Sequence, residues 1–150
     1  MAGVYFNGLV ENVAASVSAN MTFIQLIAAT NQRVRIKRIG IYGQGTAITD
    51  TPVTFEVLKQ TTAGTSSSLT LVKQDDNAGE TLQTTGLKTF TAEPTAGNIK
   101  FVANVPSTGR QEWLFPLGFD LFIKGGERLG VRALTAVQAS VYTVEIEAEE

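Results

Sequence analysis

Three groups of side chains in this 150-residue chain are of types that do chemistry. Glu145, Glu147 and Glu149 project to one side if the final segment is a strand, because strand side chains alternate between faces. Paired carboxylates can serve as general acid and base. No partner constellation accompanies them, and acidic side chains at a chain end also keep an edge strand from pairing wrongly. The run Asp75-Asp76-Asn77-Ala78-Gly79-Glu80 offers oxygen ligands suited to calcium. Its spacing does not force those ligands to converge, and its neighbours are not helical, so a solvated turn is the expectation. Arg33, Arg35 and Lys37 alternate with Val34 and Ile36 and so share one strand face. Such a stripe is ordinarily a solvated polar face, and its functional readings are an anion or nucleic-acid patch or a salt-bridged contact between subunits. No aromatic residue is interleaved to stack bases. Its sign is opposite to that of Glu145 and Glu147, which suggests pairing between copies.

The remaining inventory removes whole classes of function. There is no cysteine, so no disulfide, zinc-thiolate or iron–sulfur framework and no thiol nucleophile. There is no histidine, the usual base near neutral pH and the commonest transition-metal ligand. A serine–histidine–acid triad cannot be assembled from this chain. Glycine pairs such as Gly43-Gln44-Gly45 lack the strand-to-helix context of a phosphate loop. Asn20-Met21-Thr22 matches a glycosylation sequon, but no secretory leader supports it. The chain reads as a non-enzyme with no cofactor.

The net charge is −2, which draws the chain neither to nucleic acid nor to anionic lipid. Charged residues make up 17%, below the usual value of about 25%, a surface compatible with contact to other proteins. The first residues lack the pattern of a signal peptide, and no apolar run is long enough for a membrane helix. The expectation is a soluble protein made in the cytoplasm. Trp113 stands near Phe115, Phe119 and Phe122. An exposed cluster of this kind would bind sugar, but core or interface packing is the commoner fate of such rings, so Trp113 and Phe115 count as interface candidates.

The elements that must position these groups are strands. Threonine beside valine, isoleucine and phenylalanine favours pleated structure, and turn signals recur at short spacing. Residues 21–28, 33–42, 52–59, 69–73, 99–105 and 137–147 read as strands. In the first, Ile24 and Leu26 face one way and Phe23, Gln25 and Ile27 the other. In the second, the apolar parity flips after Ile36, which calls for a β-bulge near Lys37-Arg38 or burial on both faces. Residues 60–68 read as a polar loop and Ala96-Gly97-Asn98 as a turn. Phe119, Leu121 and Ile123 line one face of a strand that ends at a Gly125-Gly126 hairpin turn. Residues 1–20 are an N-terminal arm or a first strand, and residues 21–150 a single domain. The fold class is all-β: an antiparallel β-sandwich, jelly-roll-like.

Two stretches carry a family likeness. Asn31 to Gly43 (NQRVRIKRIGIYG) with Pro52 to Gln60 (PVTFEVLKQ) is one. Glu112 to Arg132 (EWLFPLGFDLFIKGGERLGVR) with the closing Val144 to Glu150 is the other. Together they resemble small β-sandwich virion proteins of tailed bacteriophages, of the capsid decoration, cement or head-fibre kind. Residues 60–98 add nothing to the resemblance. It implies a jelly-roll module, often a trimer, located in the virion and bound to the major capsid protein or another virion component. A carbohydrate- or receptor-binding module of a phage fibre or tail is the alternative that the same scaffold allows.

Overall fold

The computed structural model describes residues 3–48 and 50–150. Among them there are twelve strands and no helix. They are β1 (Tyr5–Ala14), β2 (Met21–Ile27), β3 (Arg33–Gly43), β4 (Val53–Gln60), β5 (Thr65–Leu69), β6 (Val72–Lys73), β7 (Thr85–Ala92), β8 (Ala96–Val105), β9 (Arg110–Leu114), β10 (Leu121–Lys124), β11 (Arg128–Ala133) and β12 (Val141–Glu149). One sheet runs β10-β3-β12-β1-β6, with β9 beside β10 on the same edge of β3. The other runs β5-β7-β2-β11-β4-β8. All pairings are antiparallel.

The pairings are nested. The first strand pairs with the last, β2 with β11, β3 with β9 and β10, and β4 with β8. This is one long hairpin rolled across two sheets, the jelly-roll arrangement. Within residues 1–20 the structure forms a first strand, β1, which lies inside the first sheet between β12 and β6, and residues 1 and 2 lie outside the described residues. The segment between β4 and β8 is an insertion. Its β6 covers the outer edge of β1, and β7 with β5 covers the outer edge of β2, so neither is left as an open strand edge.

Alternation fills the space between the sheets. Val144, Ile146 and Ala148 of β12, Val34, Ile36, Ile39 and Ile41 of β3, and Val53, Phe55 and Val57 of β4 are buried there. At its centre the Phe55 ring lies 5.4 Å from Phe23 and 4.9 Å from Tyr142, between centroids. Bulges explain two breaks in alternation, one in β3 and one in β2. Ala148 faces Ile36 and Glu147 faces Arg38, so Lys37 is the extra residue and the parity of β3 flips where expected. A second bulge was not legible. Val131 faces Ile24 while Arg132 faces Thr22, which leaves Phe23 unpaired and turns its ring into the core with Ile24. The expected opposite orientation of Phe23 is thereby corrected.

Other readings need correction. Residues 65–69 form β5, not loop, and residues 96–98 open β8, not a turn. Gly125 and Gly126 take positive φ, as a tight turn demands, but the turn joins no hairpin. Its flanking strands pair with β3 in one sheet and with β2 and β4 in the other, so it carries the chain between layers.

Tyr142 supplies a pH test of this core. Its buried hydroxyl donates to the Val105 carbonyl at 2.8 Å. Burial pushes the phenol above its ordinary value. A raised folded-state value contributes stability that is complete below about pH 10 and lost as pH rises through it. Tyr142→Phe is expected to cost about 1 kcal/mol at neutral pH. It should also move alkaline unfolding to higher pH. Urea midpoints between about pH 7 and 11 measure both effects, and an unchanged alkaline limb would contradict the assignment.

Candidate functional site

The outer face of the β10-β3-β12-β1-β6 sheet gathers most of the charged candidates. Its organising residue is Arg38, placed outward by the bulge. Its Nη1 donates to Glu112 at 2.8 Å and to the Tyr42 hydroxyl at 2.6 Å. Its Nη2 donates to Glu145 at 2.7 Å and Glu147 at 2.8 Å. Gly40 lies between Arg38 and Tyr42 on this face. A Cβ there would fall 2.4 Å from the Tyr42 hydroxyl oxygen, so only glycine lets the ring lie down and reach the cluster. The Tyr42 hydroxyl donates in turn to Glu112 at 2.9 Å. The hydrogen bond with Glu147 and the charge of Glu145 hold the guanidinium above its usual value. Tyr42 and Arg38 hold the Glu112 carboxyl below the usual carboxylate range, and burial pushes Tyr42 up.

The other basic residues of the stripe are also engaged within the chain. Lys37 pairs with Glu149 at 2.8 Å and lies over the Tyr5 ring. Arg35 pairs with Asp120. The Arg33 guanidinium stacks 3.7 Å above the Phe122 ring centroid. Glu145 and Glu147 thus meet Arg38 of their own chain, and the opposite charges that suggested pairing between copies are neutralised internally. Sequence reasoning placed Arg38 only at a bulge. The signal for its role was the parity flip itself, which adds a fourth basic side chain, Arg38, to the outward face of Arg33, Arg35 and Lys37.

The second sheet carries a buried polar group. Gln25 donates to Gln60 at 2.7 Å, Gln60 donates to Thr22 at 3.0 Å, and all three are buried. Glu56 pairs with Arg132 beside them. Gly130 makes room, since a Cβ there would fall 2.2 Å from Gln60 Oε1. Gln25 donates also to the Thr62 carbonyl at 3.1 Å, and of this structural network only Gln25 Oε1 is left without a partner.

Trp113 and Phe115 belong to the core edge. Trp113 is half-buried with its ring centroid 6.0 Å from Phe101, and buried Phe115 is 5.3 Å from the same ring. They close the sandwich between β8 and β9. Trp113 therefore does not stand free as a sugar platform. The chain matches no known protein family, no curated protein and no solved structure. Among the described residues no group of three or more acidic side chains is placed to hold a metal ion. The acidic run from Asp75 to Glu80 forms a turn in which Asp75 accepts from the Asn77 amide at 2.9 Å.

Exposed large apolar side chains lie along β1, β6 and β8 (Tyr5, Leu9, Val72, Ile99 and Val102), but the five most exposed fall in two other places. Between β9 and β10 the segment 115–120 stands out from the edge of β3 as a knob. Pro116 to Phe119 form a tight turn, the Phe119 amide donating to the Pro116 carbonyl at 3.0 Å with Gly118 at φ 91°. Leu117 and Phe119 are 82% and 78% exposed, and Leu114 beside them 70%. Phe119 was expected to face inward with Leu121. The turn intervenes and Phe119 points to solvent instead. The knob is fixed at both roots, by buried Phe115 and by the Asp120–Arg35 pair. The second place is one end of the sandwich. Loop residues 15–20, 44–48, 50–52, 106–109 and 134–140 are tied together there, for instance by the Ala136 amide on Ser16 and the Gly45 amide on Ser107. Val17 and Val137 stand exposed on them, and Asp50 is the one charged residue in those sequences.

Proposed function

We propose that this jelly-roll module is a structural protein of a phage-type particle. In this reading it binds the major capsid protein or another virion component as a decoration or cement protein, and it self-associates, as a trimer. The observation that carries the reading is the placement of exposed apolar side chains. The five most exposed, Ile48, Leu114, Leu117, Phe119 and Val137, stand at the knob fixed at both roots and on one nearly uncharged end of the sandwich, while Arg35, Lys37 and Arg38 of the broad outer face are paired within the chain. Apolar groups held rigidly in water favour burial against a protein partner, and a few such anchors supply most of an interface's energy. The sequence resemblance to tailed-phage virion proteins supplies the particle. Mass spectrometry and cryo-microscopy of the native particle test it. The expected result is this chain in fixed stoichiometry on the shell, and its absence from purified particles would overturn the proposal.

A further inference from the structure

We propose, resting on the self-association just described, that copies join head to tail. The Leu117–Phe119 knob of one copy seats in a groove on the opposite sheet edge of the next. The groove has a volume of about 690 Å³ and lies where β1 begins, its apolar wall formed by Val4, Tyr5 and Ala148 and its charged rim by Lys37, Asp75 and Glu80. Its wall is formed in part by the 74–80 turn, anchored by the Gln74 amide on the Tyr5 carbonyl at 2.8 Å and by Lys73 on the Ala78 carbonyl at 2.6 Å.

Knob and groove lie at one level of the same sheet. A single cross-strand row runs from Phe122 to Arg35, to Glu149, to Tyr5. The knob ends two residues before Phe122, and the groove opens at Tyr5. The charges on the two edges are complementary. Arg33 and Lys124, a facing pair at the end of β10 away from the knob, are basic and exposed, with the Arg33 guanidinium stacked on Phe122. Asp75, Asp76 and Glu80 on the groove's turn are acidic and exposed. None of these five makes an ion pair among the described residues. Two different patches on opposite edges make a heterologous contact, which closes into a ring when the rotation allows.

Arg33 thus returns as an interface residue with the acidic turn as its partner, in place of Glu145 and Glu147.

The chain has no cysteine, which makes directed cross-linking clean. Phe119→Cys and Ala78→Cys are prepared singly, together in one chain, and as an equimolar mixture of the two single variants. Under mild oxidation the mixture is expected to yield covalent pairs, the double variant covalent oligomers, and each single variant alone no cross-link. Self-cross-linking of Phe119→Cys alone would show a two-fold contact and overturn the proposal. So would the absence of cross-links in a mixture whose solution mass is oligomeric, although self-association itself would survive. A wild-type chain that is monomeric throughout would remove both. Asp75→Lys with Glu80→Lys is expected to weaken assembly at least about tenfold. Adding Arg33→Glu with Lys124→Glu should restore it, and failure of that restoration would refute the charge pairing.

Discussion

Phe55→Ala is expected to destabilise the fold by about 3–5 kcal/mol, the range for removing a buried aromatic ring. Phe55 is wholly buried, and it is the ring that touches both Phe23 from β2 and Tyr142 from β12. Its loss opens a cavity spanning both sheets, and those strands are hydrogen-bonded into separate layers that cannot collapse independently. Domains of this kind are stable by about 5–15 kcal/mol, so the variant would approach the unfolding threshold at physiological temperature. Chemical denaturation of wild type and variant measures it. A difference below about 1 kcal/mol would mean that the two sheets do not meet at this ring.

Arg38→Ala is the second large effect, and it acts through charge. Removing the guanidinium leaves Glu112, Glu145 and Glu147 turned toward one another with no cation between them. An exposed pair contributes about 0–1 kcal/mol and breaking a buried one costs about 3–5. The Arg38 side chain is 21% exposed, so an intermediate loss of about 2–3 kcal/mol is expected. The sign of its pH dependence is fixed. A carboxylate whose folded value is depressed, as for Glu112, contributes stability present above its unfolded value of about 4.3 and lost as pH falls through the folded one. Wild type therefore weakens on acidification. The variant has lost that contribution and is instead relieved as its crowded carboxylates protonate. The gap between the two should narrow below about pH 4.5. Arg38→Lys should recover little, because one ammonium cannot fork among three carboxylates and a phenol. A gap that is the same at pH 7 and pH 4 would contradict the charge account.

The sandwich itself was legible because strand alternation is a property of the backbone. Val53, Phe55 and Val57 face the core as their spacing requires, and so do Tyr142, Val144 and Ile146. The Lys37 bulge was legible because it displaces an otherwise regular apolar row. The Phe23 bulge was not, because β2 is buried on both faces and its apolar run carries no parity to break. The insertion was misread in part because Thr65 to Ser68 is polar and exposed. Its strand character comes from pairing with β7 and not from burial. The two-glycine turn has the sequence of a hairpin, and nothing local specifies that its strands belong to different sheets.

The surface was less legible. Arg33, Arg35, Lys37, Glu145 and Glu147 do share one sheet face, but which cation meets which anion depends on the register of β3 against β12 and β9. That register is set by distant turns and by the bulge. The knob escaped notice because Phe119, Leu121 and Ile123 alternate perfectly. The Pro116–Gly118 turn interrupts the strand before Phe119 can join it, and an exposed Phe119 looks identical in sequence to a buried one.

Self-association is the claim on which the functional reading turns, and light scattering coupled to size exclusion tests it most directly. The chain has a mass of 16.0 kDa. Wild type should elute as a single species whose mass is a fixed multiple of that value, while Leu117→Ser with Phe119→Ser should shift it toward 16.0 kDa without loss of strand content. A wild-type protein that stays at 16.0 kDa at every concentration up to the solubility limit would contradict it.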